Sequence, residues 1–151
     1  MLRKGIISFA CALLFPVSAD ALCTSFGVTA TALDFGVYDP EAGAPSTSTA
    51  TVSIQCGVGI LPEFSVALST GGGSYAQRVM AKGTERLTYN LYADSAHMTV
   101  WGDGTGGTVV QSLSGIITLG STRYSVYGLI DPGQYPAPGA YNDTITVTVN
   151  F

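Results

Sequence analysis

The chain has 151 residues, enough for one domain with a single core. Six Lys and Arg stand against ten Asp and Glu, a net charge of −4 that makes nucleic acid a poor partner. Only 11% of the residues are charged, while glycine, threonine, serine and alanine abound, a composition that disfavours a cytosolic helical enzyme and suits exported β-structure.

The first element is a leader. Arg3 and Lys4 precede an almost wholly apolar run from Gly5 to Val17, and Ser18-Ala19-Asp20-Ala21 supplies small residues at the cleavage positions. This pattern predicts a secretory signal peptide over 1–21, cut after Ala21, with Ala19 as the alternative. The 13-residue apolar run falls short of the roughly 20 residues that a helix needs to cross a bilayer. No integral membrane segment is then expected after cleavage. A lipoprotein would need a small residue before its cysteine, and Leu22 precedes Cys23. The expected mature domain is 22–151, undivided by any linker. It keeps four basic residues (six minus Arg3 and Lys4) and nine acidic ones (ten minus Asp20), a net charge of −5.

Beyond the leader the periodicity is that of strands. Thr24 to Ala32 predicts a weak strand of small residues, and Leu33-Asp34-Phe35-Gly36 a second piece. Thr51 to Cys56 alternates, with Val52, Ile54 and Cys56 inward. Phe64, Val66 and Leu68 alternate with Ser65, Ala67 and Ser69 until Gly71-Gly72-Gly73 stops the strand. Leu87, Tyr89 and Leu91 define the next, followed by a short strand at Met98 to Trp101 that ends in the glycine-rich turn Gly102 to Gly107. Further strands are predicted at Ile116 to Leu119 and Arg123 to Ile130, before the connection opened by Asp131-Pro132-Gly133. The final strand alternates from Ile145: Ile145, Val147, Val149 and Phe151 lie on one side, Thr144, Thr146, Thr148 and Asn150 on the other. About seven short strands punctuated by Gly and Pro predict an all-β antiparallel sandwich.

Candidate chemistry is sparse. Cys11 leaves with the leader, so Cys23 and Cys56 are the two mature cysteines, and an oxidising compartment would bridge them. A loop of that length is worth about 3–4 kcal/mol in the chain-entropy model. A zinc site lacks ligands, because His97 is the only histidine. Asp94-Ser95-Ala96-His97 gathers triad-type residues within one connection, which cannot align nucleophile, base and orienter; it reads as a polar hairpin turn. Gly102 to Gly107 carries one acid, Asp103, against the several that a calcium loop requires, and has no lysine or following helix for a phosphate loop. Asn142-Asp143-Thr144 matches a glycosylation sequon at a strand entrance, and such short matches are common by chance. The eight tyrosines, Tyr38, Tyr75, Tyr89, Tyr92, Tyr124, Tyr127, Tyr135 and Tyr141, would suit a carbohydrate-binding face or, as in most small sandwiches, a half-buried rim. No catalytic residue, metal site or cofactor is assigned.

Taken in order, several segments resemble one family. They are Cys23; Leu33-Asp34-Phe35-Gly36-Val37-Tyr38 with Pro40; Val52 to Cys56; Arg78 with Met80; Leu87 to Tyr92 with Asp94; Trp101-Gly102; Tyr127-Gly128; and Pro138 to Thr144 running into Val147 to Phe151. The order and spacing resemble the spore coat protein U-like domain, which includes subunits of archaic chaperone–usher pili. That resemblance implies an immunoglobulin-like sandwich that is incomplete and is finished by a donor strand from a partner. It also implies that the C-terminal strand borders the open groove, with Ile145, Val147, Val149 and Phe151 as the chaperone and donor-strand interface. The implied partners are a periplasmic chaperone, an outer-membrane usher and other pilus or coat subunits. The implied role is a non-enzymatic structural subunit at the cell surface that supports adhesion and biofilm formation. Polymerising members carry a donor extension ahead of the first cysteine, whereas only Leu22 would separate a cut after Ala21 from Cys23. A tip or terminal subunit, or a coat protein, is the expectation that follows. A secreted carbohydrate-binding sandwich is the alternative.

Overall fold

The computed structural model describes residues 4–13, 25–61, 63–113 and 117–151, and among them it contains ten strands and no helix. These are β1 (Lys4–Leu13), β2 (Phe26–Ala30), β3 (Leu33–Val37), β4 (Ser46–Leu61), β5 (Phe64–Leu68), β6 (Arg78–Lys82), β7 (Glu85–Tyr92), β8 (Gln111–Leu113), β9 (Ile117–Ile130) and β10 (Ala140–Asn150). They form a curled sheet in the order β2-β4-β9-β7-β6-β10-β1-β3, with β5 pairing to β10 and to β8. The result is the expected immunoglobulin-like sandwich. Its two path ends, β2 and β3, are consecutive in the chain, so the segment crosses from one sheet to the other at Thr31 and Ala32.

Three predicted elements come out differently. Met98 to Trp101 makes only isolated bridges, Tyr92 to Val100 and Trp101 to Val109, because its amides and carbonyls are divided between two neighbours. The pieces predicted at Ile116 to Leu119 and Arg123 to Ile130 belong to one strand, β9, running from Ile117; Ile116 lies outside the described residues. Strands β6 and β8 were not expected. In β6 the inward positions are Arg78 and Met80, and a charge at the first conceals the apolar alternation.

Alternation otherwise works as read. Val52, Ile54 and Cys56 point inward from β4, Phe64, Val66 and Leu68 from β5, and Leu87, Tyr89 and Leu91 from β7. They pack with Trp101, Val126 and Ile130 in one core. The indole of Trp101 is fully buried and donates to the Val66 carbonyl at 2.9 Å, which satisfies its only polar atom.

A buried guanidinium ties the β5 end to β6, β7 and the Trp101 segment. Arg78 has no solvent exposure, and its donors reach the Ser69 carbonyl (3.0 and 2.9 Å), the Trp101 carbonyl (2.7 Å) and Asn90 Oδ1 (2.6 Å). Asn90 in turn donates to the Tyr75 carbonyl at 2.9 Å, while the Tyr75 ring lies 5.4 Å from the guanidinium carbon. Burial pushes the Arg78 pKa down and the neighbouring Tyr89 and Tyr75 oppose that, but a guanidinium stays charged throughout.

A second polar knot holds the β9–β10 connection. The Tyr38 hydroxyl donates to the Asp131 carbonyl (2.9 Å) and accepts from the Gln134 amide (3.0 Å). The Gln134 side chain accepts from the Thr88 amide (2.8 Å) and donates to the Thr88 carbonyl (2.9 Å), as a further strand would.

Candidate functional site: a strand seat between β3 and β10

The terminal strand β10 is central to its sheet. On one side it pairs antiparallel with β5, from Val147 opposite Leu68 to Asn150 opposite Ser65, and touches β6 at Asn142 opposite Ala81. On the other side it pairs in parallel with β1, from Lys4 opposite Ala140 to Leu13 opposite Val149. The outer edge of β1 pairs antiparallel with β3. Strand β1 thus occupies a seat between β3 and β10, and its removal would leave both with unpaired N–H and C=O groups along that seat.

The seat's core face is apolar. Ile145, Val147 and Val149 are fully buried, and Phe151 is half-buried, with its ring edge-on to Phe26 at 5.0 Å and 6.2 Å from Phe64. In register beside them, Ile7 is fully buried opposite Asp143 and Leu33, and Phe9, opposite Ile145, packs against the core. Burying an isoleucine of this kind contributes about 1.5–3 kcal/mol. Gly5, Ile7 and Phe9 could not be found as seat residues from sequence. The run Gly5 to Val17 is apolar in both phases, so it carries no period and reads as a leader.

At the Val37 end β3 carries a bulge. Pairing passes from Gly5 opposite Gly36 to Ile6 opposite Asp34, which leaves Phe35 as the extra residue. Gly36 lies at φ 64°, a conformation that favours glycine, and its amide donates to Asp34 Oδ1 at 2.8 Å.

Asp143 anchors the start of β10. Its Oδ2 accepts from the Tyr89 hydroxyl (2.6 Å), and its Oδ1 from the amides of Gly72 (3.0 Å) and Thr144 (2.8 Å). Burial, and then the Asp143 partner, raise the Tyr89 pKa far above that of an ordinary phenol.

The remaining candidates fall elsewhere. Cys56 is buried on β4 opposite Phe26, and Cys23 lies outside the described residues. The Asp94 carboxylate accepts the amides of Ala96 (3.0 Å), Met98 (3.2 Å) and Thr99 (2.7 Å). Desolvation raises its pKa, but these bonds together outweigh that and hold it below the usual carboxylate value. They fold the turn in which His97 adopts φ 56°, with its ring edge-on to Tyr92 (5.3 Å) and Tyr127 (6.3 Å). Asp103 accepts from the Thr105 amide (2.9 Å) and hydroxyl (2.6 Å), closing a turn. The tyrosines do not share a face: Tyr38, Tyr89 and Tyr141 are core residues, whereas Tyr135 is 70% exposed. The Asn142 of the sequon is exposed on β10.

A curled all-β sandwich with a strand seated beside its terminal strand defines the class, the fold of chaperone–usher pilus subunits. A chain of the crystal structure of the CsuC–CsuE chaperone–tip adhesion subunit pre-assembly complex, from archaic chaperone–usher Csu pili of Acinetobacter baumannii, superposes with a TM-score of 0.57. The two are 24% identical, and the match covers 84% of this chain and 40% of that one. The family model of the Spore Coat Protein U domain matches residues 12–148. Protein U of Myxococcus xanthus is 33% identical over 135 residues, 79% of this chain and 71% of its own length. The chain belongs to the Spore Coat Protein U domain family.

Proposed function

We propose that this protein is an exported, non-enzymatic structural subunit of a chaperone–usher pilus or surface coat, and that it works by accepting a strand between β3 and β10. The observation that carries the reading is the occupied seat. A ten-residue segment, which the sequence marks as a leader, forms a full ladder with β10 and buries Ile7 in the core. In this reading 1–21 is removed on passage into the periplasm, β1 leaves with it, and a partner's strand takes its place. Ile145, Val147, Val149 and Phe151 line the vacated groove. The first occupant is a periplasmic chaperone, the next a neighbouring subunit, delivered at an outer-membrane usher. A disulfide between Cys23 and Cys56 closes the mature N-terminus onto β4. The near absence of residues ahead of Cys23 in the mature chain favours a tip or terminal position, at which adhesion to surfaces and biofilm formation follow.

The test is periplasmic co-expression of the mature chain with a chaperone of this pilus class. A stoichiometric complex in which β10 amides are shielded from hydrogen exchange is expected. Failure of every such chaperone to raise the soluble yield, with the mature chain monomeric and stable alone, would overturn the reading. Non-reducing mass spectrometry of the same material should show two protons fewer than the reduced chain; two alkylatable thiols would remove the disulfide.

A further inference from the structure

Two of the tyrosines left outside the core do share a face. Tyr92 and Tyr127 stand directly opposite one another where β7 pairs with β9, each out of phase with the fully buried residue before it, Leu91 and Val126. Both therefore lie on the outer side of the sheet formed by β4, β9 and β7, with the core between them and the strand seat. The turn held by the Asp94 carboxylate brings His97 onto this pair. Its imidazole stands at 90° to the Tyr92 ring and 86° to the Tyr127 ring, at centroid distances of 5.3 and 6.3 Å. The rings meet as a corner, and all three keep part of their surface in solvent.

Hydroxyls and carboxylates surround the corner. Thr49, opposite Tyr127 on β4, and Ser125, on the same side of β9, are exposed. Asp94 sits in the turn itself, and Asp131 follows the end of β9. Burial, and then the charges of Asp131 and Asp94, raise the Tyr92 pKa against an opposing Arg78, which places both acids close to its hydroxyl. The exposed Arg123 stands on the same side, about 13 Å back along β9.

The apolar C–H face of a pyranose ring lies flat on an aromatic side chain, while its equatorial groups project to the rim and meet polar partners there. Carboxylates at this rim, in a chain of net charge −4, repel uronic acids and attract an ammonium group, which a tyrosine face also favours. We propose that Tyr92, His97 and Tyr127 form a binding site for a polysaccharide with free amino groups, a β-linked deacetylated amino sugar, its rings on the phenols and its ammonium groups toward Asp94 and Asp131. Like-charge repulsion from Arg123 closes the track along β9. The site is separate from the strand seat, so it stays open when the seat is filled.

The test uses the 151-residue chain and three probes at low ionic strength: a β-linked glucosamine oligosaccharide, the same oligosaccharide fully N-acetylated, and an oligogalacturonate. The glucosamine probe should bind and shift the ring signals of Tyr92, His97 and Tyr127 in NMR spectra, with the β10 amides unmoved. The acetylated probe should bind at least tenfold more weakly, and the galacturonate not measurably. Tyr127→Ala should weaken glucosamine binding at least tenfold, whereas Tyr127→Phe, which keeps the ring, should stay within about threefold of the parent. Asp131→Asn should weaken it about threefold and flatten its salt dependence, and Arg123→Gln should strengthen it. Equal affinity for the amine and acetylated probes, no binding of the glucosamine probe, or parental binding by Tyr127→Ala would overturn the site. Should Tyr127→Ala fail to fold, the acetylation contrast and the salt dependence of Asp131→Asn decide the matter.

Discussion

Arg78 gathers two backbone carbonyls and one side-chain oxygen in the core, and its replacement should be costly for a reason unrelated to surface charge. Without the guanidinium, the carbonyls of Ser69 and Trp101 lose their side-chain donor in a dry interior, and Asn90 Oδ1 is left with the Leu91 amide alone. Arg78→Met should therefore lower unfolding stability by about 3 kcal/mol or more. Arg78→Lys should fail nearly as badly, because one ammonium cannot reach three separated acceptors. Urea unfolding of both variants, with m-values compared, is the check. Tyr89 gives a pH signature. Its folded pKa is raised above the unfolded value of about 10, so its contribution is whole below that pH. Above about pH 10 the unfolded chain loses a proton that the native chain keeps, and stability should fall by about 1.4 kcal/mol per pH unit from this group. Tyr89→Phe should flatten that slope in alkaline urea titrations, and an unchanged slope would detach Tyr89 from it.

At the scale of elements, period two was the legible signal. It located β4, β5, β7 and β10, and it put Val52, Ile54, Ile145, Val147 and Val149 on the core side, where the structure has them. Signals failed where the period was broken for a physical reason. Arg78 hides β6, β8 is only three residues long, and Met98 to Trp101 divides its hydrogen bonds between two neighbours. The β10 faces supply internal controls for the proposed interface. Val149→Asp would bury an unpaired carboxylate and should abolish both folding yield and chaperone capture, at a cost of several kcal/mol. Thr148→Asp, on the half-buried opposite phase, should cost about 1 kcal/mol and keep capture. Periplasmic yield and co-purification with the chaperone measure the two effects separately. Capture of Val149→Asp at the parental level would remove β10 from the recognition surface.

For the whole molecule, the resemblance carried by ordered segments such as Leu33 to Tyr38 and Pro138 to Thr144 led to the fold, while the seat was legible only in part. The terminal strand announced itself through its alternation; the bulge at Phe35 depends on the register between β1 and β3, which no single stretch of sequence encodes. A chain lacking 1–21 should self-associate, since the vacated seat leaves two strand edges and apolar surface uncovered. Sedimentation at micromolar concentration should show oligomers that dissolve on adding the Lys4–Leu13 peptide with serine for Cys11; a stable monomer would mean that the seat closes by itself. The central place of β10 also sets an order in time. Its retained neighbours β5 and β6 lie between residues 64 and 82, yet β10 itself spans 140–150. A chain threaded through a pore N-terminus first delivers those neighbours well before the strand that joins them. Half of the sandwich must wait, extended and adhesive, for the arrival of the last stretch, so anything that shields the emerging chain has to act before folding begins.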